Sequence, residues 1–195
     1  MRNRLTFSYF IGIFLTFLFL LITPLIVNRQ ASQAGKLVTV PYSKKEFITT
    51  IANEIKPYAK AYGIRPSIII GQAVLESQSG QTLLASRYHN LFAIESRPGK
   101  DGVTLVTNRP LGNHPVSSKV RFIQYKDWEA AIRDYFLTLR SGDVWDKHFY
   151  RTLATSEGYK GPAQAIEDYL YSYDKNYSDK LIKTIEENDL TQYDR

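Results

Sequence analysis

The chain has 195 residues, 44% of them apolar and 23% charged, and no cysteine. That composition suits one globular domain with an appendage, and it excludes a disulfide framework, a thiolate metal site and a cysteine nucleophile. The net charge of +6 is smaller than it looks for the domain, because Arg2, Arg4 and Arg29 stand in the first 34 residues with no acid among them. The rest is only mildly basic, and no basic run is interleaved with stacking aromatics, so nucleic acid is not an expected partner. His89, His114 and His148 are scattered and form no ligand pair at helical spacing, so no metal or other cofactor is expected.

Residues Leu5 to Val27 run without a charge and are rich in Phe, Leu and Ile. At about 1.5 Å per residue, such a run spans the roughly 30 Å hydrocarbon core of a bilayer. Arg2 and Arg4 precede it. The pattern predicts a single-pass signal anchor, with residues 1–4 in the cytoplasm, 5–27 across the membrane and the remainder exported. A cleaved signal peptide is the alternative. Its apolar region is normally about 7–15 residues, and Ser32-Gln33-Ala34 offers a weak small-residue site, with cleavage after Ala34 giving a secreted protein. Residues 28–42 are small and polar and read as a short linker, so the domain begins near residue 43 and runs to 195.

Ser43-Lys44-Lys45-Glu46 has capping-box spacing and opens a helix whose apolar face is Phe47, Ile48, Ile51, Ala52 and Ile55. Pro57 is expected to kink or end it. Gly63 closes the segment, and Pro66 suits the first turn of the next helix. That next helix, Ile68 to Ser77, is apolar almost throughout and ends on one acid, Glu76, beside Ser77-Gln78-Ser79-Gly80. A carboxylate at the mouth of a buried helix is desolvated, which raises its pKa and suits it to general acid work. The same pattern also fits a surface Glu in the last turn of a core helix, since structural groups are perturbed too. Residues 81–88 form one more helical stretch.

Residues 89–125 change character. Pro98-Gly99, Asp101-Gly102, Arg109-Pro110, Gly112-Asn113 and His114-Pro115 are turn signals. Between them lie β-compatible runs at 103–107 and 119–123, which predict a small antiparallel hairpin. Helical spacing resumes at 127–139 with Trp128, Ala131, Ile132, Tyr135, Phe136 and Leu139 on one face, and three further helices follow near 144–155, 161–171 and 176–188. The fold class is therefore mainly α with a small β lobe, preceded by one transmembrane helix. Many of the 14 tyrosines fall in the C-terminal half. Stacking on sugar rings is one use for them there, and core packing is the commoner one.

Several stretches, taken in order, resemble the endo-β-N-acetylglucosaminidases of glycoside hydrolase family 73, the glucosaminidase domain of bacterial autolysins. They are Pro66-Ser67 through Gly71-Gln72-Ala73-Val74-Leu75-Glu76-Ser77, then Tyr88-His89-Asn90-Leu91-Phe92-Ala93-Ile94. Later come Phe122 with Tyr125, Asp127-Trp128-Glu129, Gly158-Tyr159, Tyr171-Ser172-Tyr173-Asp174 with Tyr177, and Leu190 with Tyr193-Asp194. The resemblance covers about residues 43 to 193. It implies a lysozyme-like α+β fold with a saccharide groove between the lobes. It also implies that the partner is a peptidoglycan glycan strand, cut at the β-1,4 bond between N-acetylglucosamine and N-acetylmuramic acid. Glu76 falls on the family's general acid, Tyr171 and Asp174 on a groove-lining Tyr…Asp motif, and Asn90 on the motif after the catalytic helix. Tyr173 and Tyr177 join them as candidate substrate-binding residues. An anchored wall hydrolase of this kind works at the cell membrane, facing the wall. It leaves room for a membrane-protein partner on the anchor, although nothing in Leu5 to Val27 identifies one.

The chain departs from the family pattern in three places. Glu-Ser-Gly-Trp-Gly is here Glu76-Ser77-Gln78-Ser79-Gly80. Asn-Leu-Phe-Gly-Ile-Lys is Asn90-Leu91-Phe92-Ala93-Ile94-Glu95. Where many members carry a second Glu in the β lobe, this chain has Thr107-Asn108-Arg109. Two-carboxylate glycosidases hold the pair about 5–5.5 Å apart for retention or about 6.5–9.5 Å for inversion. Glu95 or Asp101 are the candidates for a second acid. Otherwise the substrate's own 2-acetamido group acts as nucleophile, with Tyr171 or Asp174 orienting it. Two other readings stand beside hydrolysis. A lytic transglycosylase also relies on a single Glu, and a non-catalytic wall-binding module would need no second acid at all.

Overall fold

The computed structural model describes residues 9–18, 32–111, 114–141 and 147–195, with the side chains of 109–111 and 114–115 outside that description. The chain divides into two units, Met1–Ser32 and Gln33–Arg195. In the first, residues 9–18 are helical. Residues 5–8 and 19–27 of the expected membrane span lie outside the described residues, and among the described residues no helix is long and apolar enough to cross a membrane.

Among the described residues, the second unit is a mainly helical body with one two-stranded antiparallel sheet. Its first helix, Lys44–Tyr62, begins on a complete capping box: Glu46 N–H donates to Ser43 Oγ at 3.2 Å, and Ser43 N–H donates to Glu46 Oε2 at 2.7 Å. The helix does not end at Pro57. It continues to Tyr62 and stops at Gly63, whose φ of +70° needs no Cβ clearance. The turn beyond the proline is held by tertiary packing, with Ala59 fully buried and Tyr58 and Tyr62 against the Phe136 ring. That packing outweighs one missing backbone hydrogen bond.

The Pro66–Ser77 helix runs through the core. Every residue from Ser67 to Val74 is buried, so it has no solvent face, as befits a helix packed on all sides. It lies against Lys44–Tyr62, against the Tyr177–Glu187 helix and against a terminal 3-10 turn, Leu190–Asp194. Gly71 makes the closest approach possible: a Cβ there would stand 2.8 Å from Leu181 Cδ1 and 3.1 Å from Ile185 Cγ1. The chain's end caps this helix. Ser67 N–H donates to Asp194 Oδ1 at 2.8 Å and Ser67 Oγ to Asp194 Oδ2 at 2.9 Å, supplying the cap that Arg65 at the N-cap position does not.

The strands are longer than the sequence suggests, Gly102–Leu111 and His114–Ile123, in register from Gly102↔Ile123 to Leu111↔His114. Arg109-Pro110 and His114-Pro115 are thus strand rather than turn. Pro110 and Pro115 face each other across the ladder, and in a two-stranded sheet every strand is an edge strand, where a missing N–H is tolerated. Gly112-Asn113 lies outside the described residues. The remaining helices are Leu83–Tyr88, Trp128–Ser141, Lys147–Thr155 and Lys160–Leu170, with the expected residues 144–146 outside the described ones.

Residues 33–38 hug this unit. Ala34 N–H donates to Val106 O at 2.8 Å, and Leu84 N–H and Leu83 N–H donate to Ala34 O and Lys36 O at 3.1 and 2.7 Å. Ala34 is buried with Leu84, Leu105, Val120 and Phe122. A stretch that reads as linker by composition therefore pairs with the hairpin edge and joins it to the Leu83–Tyr88 helix.

Candidate active site

Glu76 ends the core helix, and the turn after it is held rigidly. Gln78, Ser79 and Gly80 all have positive φ, at 50°, 58° and 79°. Ser77 Oγ donates to Ala73 O and accepts from Gly80 N–H at 2.7 Å, while Ser79 N–H returns to Val74 O at 2.9 Å. These bonds stop the helix sharply and leave Glu76 half-buried at its mouth.

The Glu76 carboxyl meets a pair of tyrosines. Tyr177 OH donates to Glu76 Oε1 at 2.8 Å. Tyr177 is only 3% exposed, and its ring lies flat on Tyr171, with centroids 3.7 Å apart and planes 7° from parallel. Burial pushes the Glu76 carboxyl above the usual carboxylate range. The Tyr177 and Tyr171 hydroxyls pull the other way, the Asp174 charge adds to the rise and Lys180 opposes it. Burial comes first, so the carboxyl holds its proton to higher pH than a free carboxyl does. The same burial pushes both tyrosines well above their ordinary range, so both remain hydroxyl donors.

Glu76 opens into a cleft of about 700 Å³. The helical body contributes Gln72, Tyr135, Tyr169 and Tyr171 to its lining, the 92–97 segment contributes Phe92 and Glu95, and the hairpin contributes Thr107, Asn108 and Phe122. Of the expected site residues, the cleft lining brings together Glu76, Tyr171, Tyr173 and Glu95, with Tyr177 directly behind Glu76. Tyr173 is 60% exposed at its rim. Asp174 stands outside the lining. Its carboxylate receives Lys180 Nζ at 2.6 Å, which holds it below the usual range and ionised.

Asn90 and Asp101 are placed elsewhere. Asn90 is 1% exposed. Its Nδ2 donates to Ile94 O and Ile123 O, both at 2.9 Å, and its Oδ1 accepts from Ile94 N–H at 3.0 Å. These bonds brace the 90–94 loop and tie it to the second strand, so Asn90 shapes the cleft wall without lining the cleft. Asp101 is exposed at the foot of the first strand, where its carbonyl accepts from Gln124 N–H. The β-lobe position expected to carry a second Glu does line the cleft, with Thr107 and Asn108.

Three contributors were not singled out from sequence. Gln72 lies one helical turn before Glu76 and accepts from Tyr135 OH at 2.9 Å. Glu167 accepts from Ser178 N–H at 2.9 Å at the start of the Tyr177–Glu187 helix. That bond holds its carboxylate below the usual range and fixes the turn that delivers Tyr177. Asp134 gathers Arg97 at 2.7 Å, Tyr125 OH at 2.7 Å and Lys100 at 3.3 Å, pinning the 97–100 rim to the Trp128–Ser141 helix. The i, i+4 spacing of Gln72 and Glu76 was visible in the sequence. The other two depend on partners 9 to 37 positions away.

A half-buried acid with a tyrosine donor, inside an aromatic-walled cleft between a helical body and a small hairpin, is the arrangement of a lysozyme-like glycosidase. The family model described as mannosyl-glycoprotein endo-beta-N-acetylglucosaminidase matches residues 52–190, and the chain belongs to this glucosaminidase family. It is 27% identical over 182 residues to the exo-glucosaminidase LytG of Bacillus subtilis, covering 90% of this chain and 64% of that protein. It is 29% identical over 155 residues to a probable N-acetylmuramidase of Lactococcus lactis, covering 78% of this chain and 35% of that one. Among solved structures it resembles the catalytic domain of the autolysin Auto from Listeria monocytogenes, at 29% identity and a TM-score of 0.69 over 81% of this chain and 91% of that one. The chain spans less than two thirds of the length of these two sequence relatives.

Proposed function

We propose that the protein is a peptidoglycan hydrolase that cuts the β-1,4 bond between N-acetylglucosamine and N-acetylmuramic acid, with Glu76 as general acid. The observation that carries this reading is the Glu76–Tyr177 pair at 2.8 Å, set in the cleft. Protonated Glu76 delivers its proton to the glycosidic oxygen as the bond to the anomeric carbon breaks. Tyr177 OH keeps the carboxyl oriented. After transfer the same bond becomes charge-assisted and steadies the carboxylate. Tyr171 and Tyr173 offer ring faces to the sugars. Family membership supports the substrate class. The relatives' names divide between glucosaminidase and muramidase, so the bond itself needs a direct test. Peptidoglycan fragments released by wild type are reduced with borohydride and weighed by mass spectrometry. Reduced N-acetylglucosamine ends are expected. Reduced muramic ends, anhydro-muramic ends or no release would overturn the reading, and Glu76→Gln should abolish release.

The second half of the reaction has two routes. In the preferred one, the 2-acetamido oxygen attacks the anomeric carbon and water then opens the resulting ring, a retaining course. The Tyr171 hydroxyl, in the cleft lining near Glu76, is suited to orient that group, whereas Asp174 stands outside the lining with its carboxylate on Lys180. In the other route Glu95, which faces the same cleft as Glu76, is the base for an attacking water. An inverted anomer at early times would select Glu95 and rule out the acetamide route. A non-catalytic glycan-binding reading draws on Thr107 and Asn108, where an acid would be expected. The release assay separates it.

The reading extends to location. The charge-free run 5–27 after Arg2 and Arg4 supports a retained anchor, a cytoplasmic 1–4 segment and a catalytic domain from about residue 43 working outside the cell membrane. The bonds of Ala34 to Val106 and Leu84 support retention further, because cleavage after Ala34 would remove them. Fractionation with N-terminal sequencing of the mature protein tests this. A soluble product beginning at Gly35 would overturn it.

A further inference from the structure

Gln72 is a polar residue in a helix otherwise packed with Ile, Ala and Val. It is 1% exposed and yet lines the cleft. Its Oε1 accepts from Tyr135 OH at 2.9 Å, and Tyr135 is the one hydrogen-bond partner of the Gln72 side chain among the described residues. Tyr135 cannot turn away easily, because its ring is stacked on Phe92 with centroids 4.1 Å apart and planes 8° from parallel. The clamp therefore uses the amide oxygen, fixes the amide plane and leaves the two N–H donors for whatever fills the cleft. Nε2 is not one of the fully buried unpartnered side-chain atoms, so these donors open to the cleft that Gln72 lines, where a ligand acceptor can take them in place of water.

We propose that Gln72 is a substrate-binding residue that donates to the carbonyl oxygen of a sugar acetamido group and sets the preference of the cleft for N-acetylated glycan. This rests on the glycan-cleaving reading above and adds to it the group recognised beside the acid. Gln72 stands four residues before Glu76 on the same helical face. That is about 6 Å along the axis, or one sugar's breadth, so it meets the sugar adjoining the bond that Glu76 protonates. An acetamido group pairs a strong carbonyl acceptor with a methyl. Phe92, on Tyr135 and lining the same cleft, gives the methyl an apolar wall. A sugar bearing a hydroxyl in that position offers neither, and a site built around a buried donor discriminates strongly against a ligand lacking the matching group.

The test is made by binding, so that turnover does not enter. The full-length chain carrying Glu76→Gln, solubilised in detergent, is titrated calorimetrically with N-acetylchitotetraose and with cellotetraose, which has the same β-1,4 backbone with hydroxyls in place of acetamides. Tighter binding of the acetylated tetramer is expected. Adding Gln72→Met should weaken that binding about 10- to 100-fold while leaving cellotetraose unchanged. Tyr135→Phe keeps the amide but frees its rotation and should cost about 3- to 10-fold on the acetylated ligand alone. It decides the matter should Gln72→Met fail to fold by near-UV circular dichroism. Equal binding of both tetramers, no binding of either, or a preference that survives these substitutions overturns the proposal. Failure of wild type to release sugar ends from peptidoglycan, with the acetamide preference intact, would instead remove the hydrolase reading and leave Gln72 in its role.

Discussion

Replacing Tyr177 by Phe removes one oxygen and leaves the stacked ring in place, so it isolates the bond to Glu76. The residue is 3% exposed and donates at 2.8 Å. While Glu76 is protonated the bond is neutral and contributes about 0.5–1.5 kcal/mol; once Glu76 is ionised it contributes about 1.5–3 kcal/mol. In a domain of this size, 1 kcal/mol corresponds to about 2–4 °C in Tm. Tyr177→Phe should thus lower Tm by about 1–6 °C in acid, and by about 3–12 °C where Glu76 is charged. Activity should respond in a linked way. The Tyr177 hydroxyl lowers the Glu76 pKa against the dominant effect of burial, so its removal raises that pKa further. A general acid works while protonated and fails as pH rises through its folded pKa, so the alkaline limb of the pH–rate profile should move to higher pH. The assays are thermal unfolding and initial rates on peptidoglycan across pH. An alkaline limb that stays put or moves down, or a Tm loss no larger at high pH than at low, would refute this account of the pair.

Glu76→Gln should do more than cost about 100- to 10,000-fold in rate. The folded-state pKa of Glu76 is raised, so its contribution to stability is fully present below the unfolded carboxylate pKa and is lost as pH rises through the folded value. The variant, neutral throughout, should match wild type in acid and melt at a higher temperature once pH has risen through the folded Glu76 pKa. Gly71→Ala would place a Cβ 2.8 Å from Leu181 and 3.1 Å from Ile185. Overpacking of about 1–3 kcal/mol exceeds the roughly 0.5–1 kcal/mol gained in helix propensity. Tm should fall, and activity should fall with it, because the helices bearing Glu76 and Tyr177 are pushed apart. Gln78→Gly should raise Tm by about 1–4 °C, because Gln78 sits at φ +50°, where a glycine avoids strain at some entropic cost. Asp194→Ala removes the cap on the core helix and should cost about 0.5–2 kcal/mol in a denaturant melt.

Local signals carried much of the fold. The Ser43–Glu46 capping box, Pro66 in the first helical turn and Gly63 beyond the last one are interactions between near neighbours, so spacing alone announces them. The uninterrupted apolar run before Glu76 marked both a core helix and its one costly residue, and with it the most informative member of the site. What spacing could not weigh was packing from far along the chain. The helix passes through Pro57 because Phe136 covers its far turn, and Arg109-Pro110 stays in a strand because both strands of the ladder are edges, where a missing N–H is tolerated. Asn90 looks like a ligand-binding amide in sequence and becomes a backbone brace once Ile123 lies beside it.

The acid, its helix and the order of elements around it were determined by sequence, because each follows from neighbours within one or two turns. The setting that makes the acid work was decided only by the tertiary fold. Tyr177 reaches Glu76 from 101 positions away and Tyr135 clamps Gln72 from 63. Asp194 caps the Glu76 helix from 127 positions along the chain. Contacts of that range arise from the shared burial of several helix faces, which no local pattern encodes.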